Sequence, residues 1–345
     1  GLSKEYVFMS ATHTHEVPLL GFIGATEQGK NEKLELWYFE ILNTLKETIK
    51  RAEAAKRPAR IGYGTGKSYI NVNRDDVIDG KATIGSNFER PSDKTLALVR
   101  IEDEAGIPIA FIVNYAVHAV VMNGCLVDGS IGVCGDLPGR TSAMLEEMFD
   151  GAVALWTPGA AGDQNPRIMT QYVFTKDNGE TIVENLGQSG YIILKSLAEE
   201  HVRDILTVNK SLVCDKSEAE IFAAERIVQC PGRPLGDEGV SIPVSYTLRL
   251  LTVGDIAFEG ISAEVVTSIG AALKSASPYE KTMIVTNAST YCGYVPDDWG
   301  YENNTFEANG TPVQKGYAQP AFLKGFAEMF DEERRMITES SPKSY

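Results

Sequence analysis

Thr95 to Ala119 reads TLALVRIEDEAGIPIAFIVNYAVHA. Two apolar runs, Thr95 to Ile101 and Ile107 to Ala119, flank the polar link Glu102-Asp103-Glu104-Ala105-Gly106, whose last residue is a glycine suited to a reversal. The pattern predicts a hairpin with a long second arm, and therefore antiparallel pairing. Outward from it, apolar residues recur at alternating strand-like and helix-like spacings. Upstream, Glu5 to Ser10 reads as a short strand. Lys33 to Lys56 reads as a long helix on the outside of a sheet: Leu34, Trp37, Tyr38, Ile41, Leu45 and Ile49 make one stripe, and Pro58 follows as a stop. Downstream, Leu137 to Met148 is helical with Asp136 where a cap would sit, Ala152 to Trp156 a buried strand, and Gly190 to Val208 an amphipathic helix. Ser211 to Phe258 is β-rich, followed by a helix over Ala263 to Lys274, a strand over Lys281 to Asn287 and a last helix over Ala318 to Thr338. Hairpin and βα alternation together predict an α/β fold with a mixed β-sheet flanked by helices. No repeat, linker or composition break interrupts it, so residues 1–345 read as a single domain.

The 345 residues carry a formal net charge of −15 and a pI near 4.8. That balance repels phosphate backbones, no Lys/Arg run offsets it, and nucleic acid is excluded as an expected partner. No stretch approaches the roughly 20 apolar residues of a membrane-spanning helix. Gly1 to Met9 shows no basic start followed by an apolar run, as a secretory signal would. Five widely spaced cysteines (Cys125, Cys134, Cys214, Cys230, Cys292) without a C-x-x-C argue against a disulfide framework or zinc ribbon, and favour a reducing, cytoplasmic compartment, with secretion the alternative if a further N-terminal segment precedes them.

The chain has four histidines. His13 and His15 lie two apart in Ala11-Thr12-His13-Thr14-His15, at the end of a predicted strand, where side chains at i and i+2 share a face. Such an H-x-H is either a metal pair or two ordinary surface or core histidines. His118 closes the apolar second arm, as a hydrogen-bonded core residue or a ligand. His201, in Ala198-Glu199-Glu200-His201, reads as surface. Gly62-Tyr63-Gly64-Thr65-Gly66-Lys67-Ser68 imitates a phosphate loop, but Ile61 stands where that motif needs glycine and no helix follows, so a nucleotide site is not expected. Gly159 to Arg167 (GAAGDQNPR) is either a backbone that approaches something closely or a plain strand-to-loop corner.

In order along the chain, Ala11 to Pro18 (ATHTHEVP), Gly62 to Arg74 (GYGTGKSYINVNR), Asn114 to Met122 (NYAVHAVVM), Gly135 to Gly139 (GDLPG) and Gly159 to Arg167 resemble the motifs of the neutral/alkaline ceramidase family. Gly260 to Glu264 (GISAE) resembles its glutamate-bearing turn and Tyr291 to Tyr301 (YCGYVPDDWGY) its tyrosine-bearing loop. The resemblance implies a Zn²⁺ amidase that cuts the amide bond of an N-acyl, lipid-like or smaller substrate. It implies His13, His118, Glu264 and Tyr294 as metal ligands, meeting at one edge of the sheet. His15 then matches an active-site histidine that moves a proton, and Arg74 an arginine that contacts substrate and holds the oxyanion. Tyr301 falls near a substrate-side tyrosine, and Gly162 and Asp163 line the substrate-side turn. Asn165 stands where the family often has a proposed catalytic serine; an amide donates a hydrogen bond but is no nucleophile. Glu16-Val17 replaces a usual Ser-Gly, and Phe306 stands near a late tyrosine's place.

The family also has strands before its first histidine motif and a C-terminal immunoglobulin-like domain. The expectation is therefore a catalytic domain lacking both, part of a longer or processed protein, with a homo-oligomer or an N-terminal companion fragment as partner. Two other readings compete: a metal-dependent esterase or lactone hydrolase, and a non-catalytic binding protein retaining the fold.

Overall fold

The computed structural model describes residues 3–17, 32–124, 126–127, 130–175, 180–235 and 239–340. Gly1, Leu2, Pro18 and Cys125 lie outside them. Numbering only the strands that build the layers and the site, the first part of the chain runs α1 (Glu32–Ala54), β1 (Arg60–Lys67), β2 (Asn71–Ile78), β3 (Lys81–Asn87), β4 (Thr95–Glu102), β5 (Pro108–Tyr115), α2 (Asp136–Met148), β6 (Val153–Pro158), β7 (Gln164–Pro166) and α3 (Tyr191–Ser211). The second part runs β8 (Ile221–Cys230), β9 (Val244–Val253), β10 (Ile256–Ile261), β11 (Glu264–Val265), α4 (Thr267–Ala276), β12 (Lys281–Val285), β13 (Tyr294–Val295), α5 (Asp298–Asn303), α6 (Phe306–Gly310) and α7 (Ala318–Ser340).

The expected hairpin is present: β4 and β5 pair antiparallel, with Leu98 opposite Val113. It sits in the middle of a four-stranded sheet of order β1-β4-β5-β6, in which β6 is parallel to β5. A second sheet repeats the plan in the order β8-β9-β10-β12, again with two antiparallel pairings and then a parallel one. The fold is thus α/β with mixed sheets, as expected, but with two stacked sheets where the sequence reading placed one.

Strand alternation explains the stacking. On β4, Leu96 and Leu98 join the core beneath α2 and α3, while Ala97 and Val99 turn to the other face. There they meet Phe258, Met283 and Val285 of the second sheet, whose Ala257 and Ile284 face α4 and α7 instead. The result is four layers, helices outside and two sheets inside. Each fully buried large apolar side chain contributes about 2 kcal/mol. Glycines in the false phosphate loop serve this packing: β1 runs so close under α3 that a Cβ on Gly66 would stand 2.5 Å from Val208, and one on Gly62 2.3 Å from the Val213 carbonyl.

Four local expectations need correction. Glu5–Ser10 is no strand; Lys4–Tyr6 forms a single 3-10 turn, and pairing begins at the isolated bridge Ser10 to Ala288. The helix read at Lys33–Lys56 exists as α1, yet none of its residues is buried, and Leu36, Phe39 and Leu45 are exposed rather than seated on a sheet. Its stripe encodes amphipathy without naming a partner. The cap position of α2 falls on Gly135. Asp136 sits at φ 49°, and its carboxylate accepts from the N–H groups of Val121, Met122 and Leu137. His201 is wholly buried: Ser68 Oγ lies 3.1 Å from its Nδ1 and the Tyr115 ring packs beside it. Its position continues the buried stripe Leu194, Leu197, Ala198, Val202, Ile205, so helical spacing outweighs the charged neighbours Glu199 and Glu200.

Candidate metal centre and active site

His118 is the third residue beyond the end of β5, and Glu264 the third beyond the end of β10, so equivalent strands of the two sheets deliver an imidazole and a carboxylate to one seam. Between them runs the segment 10–15. Ala11 N–H donates to Asn287 O, a residue of the second half, and His15 N–H donates to Ala119 O, a residue of the first. His13 sits at φ 66°, in the left-handed region that costs a non-glycine residue of order 1 kcal/mol or more. The two histidines therefore converge through a backbone kink, where regular strand alternation was expected.

The convergence is close. Glu264 Oε2 lies 2.9 Å from His13 Nε2 and 2.8 Å from His118 Nε2, and His15 Nε2 lies 3.3 Å from His13 Nε2. The ligand atoms of His13, His15 and His118 all fall within 4.8 Å of one another, a cluster able to coordinate a metal ion. The Tyr294 hydroxyl is 3.4 Å from His118 Nε2, because β11 and β13 pair parallel with Glu264 opposite Tyr294. On the far side of the His118 ring, Nδ1 faces the Gln164 carbonyl at 3.1 Å, which also accepts from the His118 N–H. That contact places the ring proton on Nδ1 and leaves the Nε2 lone pair toward Glu264.

The fit to a metal rests on Glu264. Its Oε2 is buried and, despite two imidazole nitrogens within 2.9 Å, has no hydrogen bond of proper geometry. Around a tetrahedral ion with bonds near 2.0–2.1 Å, neighbouring donors stand about 3.3 Å apart; His13 to His15 and His118 to Tyr294 match that spacing, and Glu264 stands closer to both imidazoles. Charge states agree. Burial opposes ionisation of Glu264, but His118 and His13 outweigh it and hold the carboxyl well below its usual range. Burial, then Arg74, lowers the His118 pKa. Desolvation, then His118 and His13, brings His15 down to about 4. His118 and His15 are thus neutral at physiological pH, as ligands or bases must be.

Arg74, on β2, is buried beside the cluster, with Nη1 3.4 Å from His118 Nε2 and 3.3 Å from Asn165 Oδ1. Pairing of β2 with β7, which sets Val72 opposite Asn165, brings these two side chains together. Asn165 turns its oxygen to Arg74, so its NH₂ remains as a donor. Gly162 allows close approach: its N–H donates to Val265 O, and a Cβ would stand 3.0 Å from the Glu264 carbonyl.

Two expected substrate contacts are placed elsewhere. Asp163 is buried, accepting from the Thr267 N–H and hydroxyl at 2.8 Å and from Asn73 Nδ2. It ties the β6–β7 loop to the start of α4, which makes it a brace between the halves. The Tyr301 hydroxyl donates to Val313 O at 2.8 Å, fixing α5 rather than meeting the cluster.

Three residues at the site went unread in the sequence. Tyr291, largely exposed, stands near Glu264, and desolvation followed by that carboxylate raises its pKa. Glu307 holds Arg74, and Asp75 stands behind it with its pKa raised by burial and by Glu307. Nothing in NVNRDD or TFEANG marks these acids. Beside Tyr291 and Gly293 opens a cavity of about 840 Å³, also lined by Arg233, Ile242, Val244 and Pro312.

No family model matches the chain. In sequence, it is 32% identical over 168 residues to Neutral ceramidase B of Dictyostelium discoideum, covering 45% of this chain and 21% of that protein. It is 28% identical over 165 residues to Neutral ceramidase A of the same organism, 44% of this chain and 21% of that one. In fold, it matches the neutral ceramidase from Pseudomonas aeruginosa with a TM-score of 0.66 at 16% identity, over 94% of this chain and 60% of that one. A solved ceramidase complexed with C2 gives 0.71 at 16% identity, over 95% and 62%. The chain thus matches about a fifth of the length of the curated relatives and three fifths of the solved ones. Sequence over nearly half its length and fold over almost all of it make the chain a homologue of the neutral/alkaline ceramidase family.

Proposed function

We propose that this chain is a zinc-dependent amidohydrolase that cleaves the amide bond of a ceramide-like N-acyl substrate with water. The observation that carries the reading is Glu264 Oε2, buried, without a hydrogen bond, and 2.9 and 2.8 Å from the Nε2 atoms of His13 and His118. Two imidazoles and a carboxylate, with Tyr294 beside them, are the donors that suit Zn²⁺. Bound there, the ion supplies Lewis acidity to the amide carbonyl and lowers the pKa of the attacking water.

The remaining work falls to the chain's own groups. His15, neutral and at the solvent edge of the cluster, accepts a proton at its free ring nitrogen and returns it to the leaving amine. Arg74 Nη1 and the Asn165 NH₂ donate to the carbonyl oxygen as negative charge builds on it. The cavity beside Tyr291 receives the substrate's apolar tail. Elemental analysis of the purified protein with H13A and H118A variants tests the reading. About one zinc per chain, lost in both variants, together with turnover of N-acyl amides in preference to matched esters, is expected. A folded protein that takes up no zinc sinks it.

A further inference from the structure

Arg74 is gripped from behind by a second buried group. Its Nε donates to Glu307 Oε1 at 2.7 Å, and Nη2 lies 2.6 Å from the same oxygen. Glu307 has no solvent exposure and reaches this point from α6, a single turn capped by Thr305, whose side chain accepts from the Ala308 N–H. Asp75, itself buried, stands behind Glu307. Burial, then Glu307, raises the Asp75 pKa to about 9, so Asp75 keeps its proton at neutral pH and adds no second negative charge. The rings of Tyr294 and Phe306 cover the guanidinium, with centroids 5.4 and 5.2 Å from its carbon. Of its three nitrogens, Nη1 is the one turned toward Asn165 and the histidines.

A guanidinium attracts a carboxylate most strongly when no buried anion already pairs with its charge. Glu307 Oε1 takes the Nε–H of Arg74 and sits 2.6 Å from Nη2, which fixes the plane of the guanidinium and already balances its charge. We infer that Glu307 is a positioning residue for the reaction: it fixes Arg74 so that Nη1 faces the substrate and balances the guanidinium charge, favouring an uncharged amide or hydroxyl oxygen over a carboxylate. The substrate preference rests on the amidohydrolase reading, whereas the clamp on Arg74 does not.

The test compares wild type with E307Q on two N-acyl amides sharing one acyl chain, one of a neutral hydroxylated amine and one of an amino acid whose carboxylate neighbours the scissile bond. E307Q retains zinc, loses about tenfold in kcat on the neutral amide with KM little changed, and narrows the neutral-over-anionic preference about tenfold. E307D, which keeps the charge but draws the oxygen back, serves if E307Q fails to fold. D75N, replacing a proton-bearing group by a neutral one, retains the preference. Independently of turnover, the Arg74 Nε–H resonance, identified by its loss in R74K, exchanges slowly in wild type and rapidly in E307Q. An unchanged resonance in E307Q, or an unchanged preference in an active enzyme, overturns the inference. A wild type that cleaves neither amide yet shows the E307Q-sensitive resonance overturns the amidohydrolase reading and leaves the clamp standing.

Discussion

The two sheets share one plan and carry different chemistry. In each, two antiparallel pairings precede a parallel one made through a helix, α2 in the first and α4 in the second, and a long helix follows, α3 or α7. In each, the third residue beyond the inner strand is a candidate ligand, His118 in one half and Glu264 in the other. What differs is the side chain and the loop after the last strand, which supplies Asn165 in the first half and Tyr294 in the second. The lesson is that neither half owns the site. A neutral imidazole and an ionised carboxylate arrive from matched places and meet across the seam, where the segment 10–15 adds His13 and His15.

The largest expected effect tests that division. H118A and E264A, one from each half, should each abolish zinc binding in elemental analysis and cut amide turnover on the order of 10³-fold or more. Retention of metal by either variant would make the halves unequal. Next, the brace between them: D163A strands the donors of Thr267 and Asn73 and should lower unfolding free energy by about 3 kcal/mol in urea titration, with a loss of cooperativity. Full cooperativity at wild-type stability would mean that the halves are joined elsewhere.

A third prediction uses one buried titratable group from each half. Burial alone brings His201, on α3, down to about 3, and burial raises Glu259, on β10, to about 8 against weaker opposition from Ser277 and Lys274. Between pH 6.5 and 3 the unfolded chain binds the histidine proton and the native chain does not, so acid weakens the first half. Between pH 4.5 and 8 the native chain holds the Glu259 proton and the unfolded chain releases it, so alkali weakens the second. Each contributes a slope near 1.4 kcal/mol per pH unit, and between pH 4.5 and 6.5 the two oppose. Stability curves for H201Q and E259Q should lose the acid and the alkaline arm respectively; parallel curves for both variants would refute the contrast. The smallest effect lies outside both halves: L45Q on α1 should shift unfolding by no more than about 0.5 kcal/mol, because that face is exposed.

Much of this was legible in the sequence where periodicity and motif agree. The hairpin over residues 95–119 and most of the long helices follow from apolar spacing, and His13, His15, His118, Glu264, Tyr294, Arg74 and Asn165 meet as the resemblance implied. The second sheet was not legible as a separate layer, since alternation on β4 or β10 says that both faces are apolar without saying what covers each. Nor were Asp75, Glu307 and Tyr291: acids and tyrosines are ordinary surface residues until a distant chain segment packs beside them. At Tyr301 and Asp163 the motif position is kept while the structure shows the side chain holding loops.

The pairing of the segment 10–15 has a consequence for synthesis. Ser10 Oγ donates to the Thr286 carbonyl, a partner 276 positions further along the chain, and His15 N–H donates to Ala119 O. His13, made before the residues that surround it, is therefore among the last to find its neighbours. Until both sheets exist, that segment has nothing to pair with, and contacts of such long range close slowly. A cluster able to hold a metal is therefore complete only late: a nascent or half-folded chain lacks the carboxylate that faces His13.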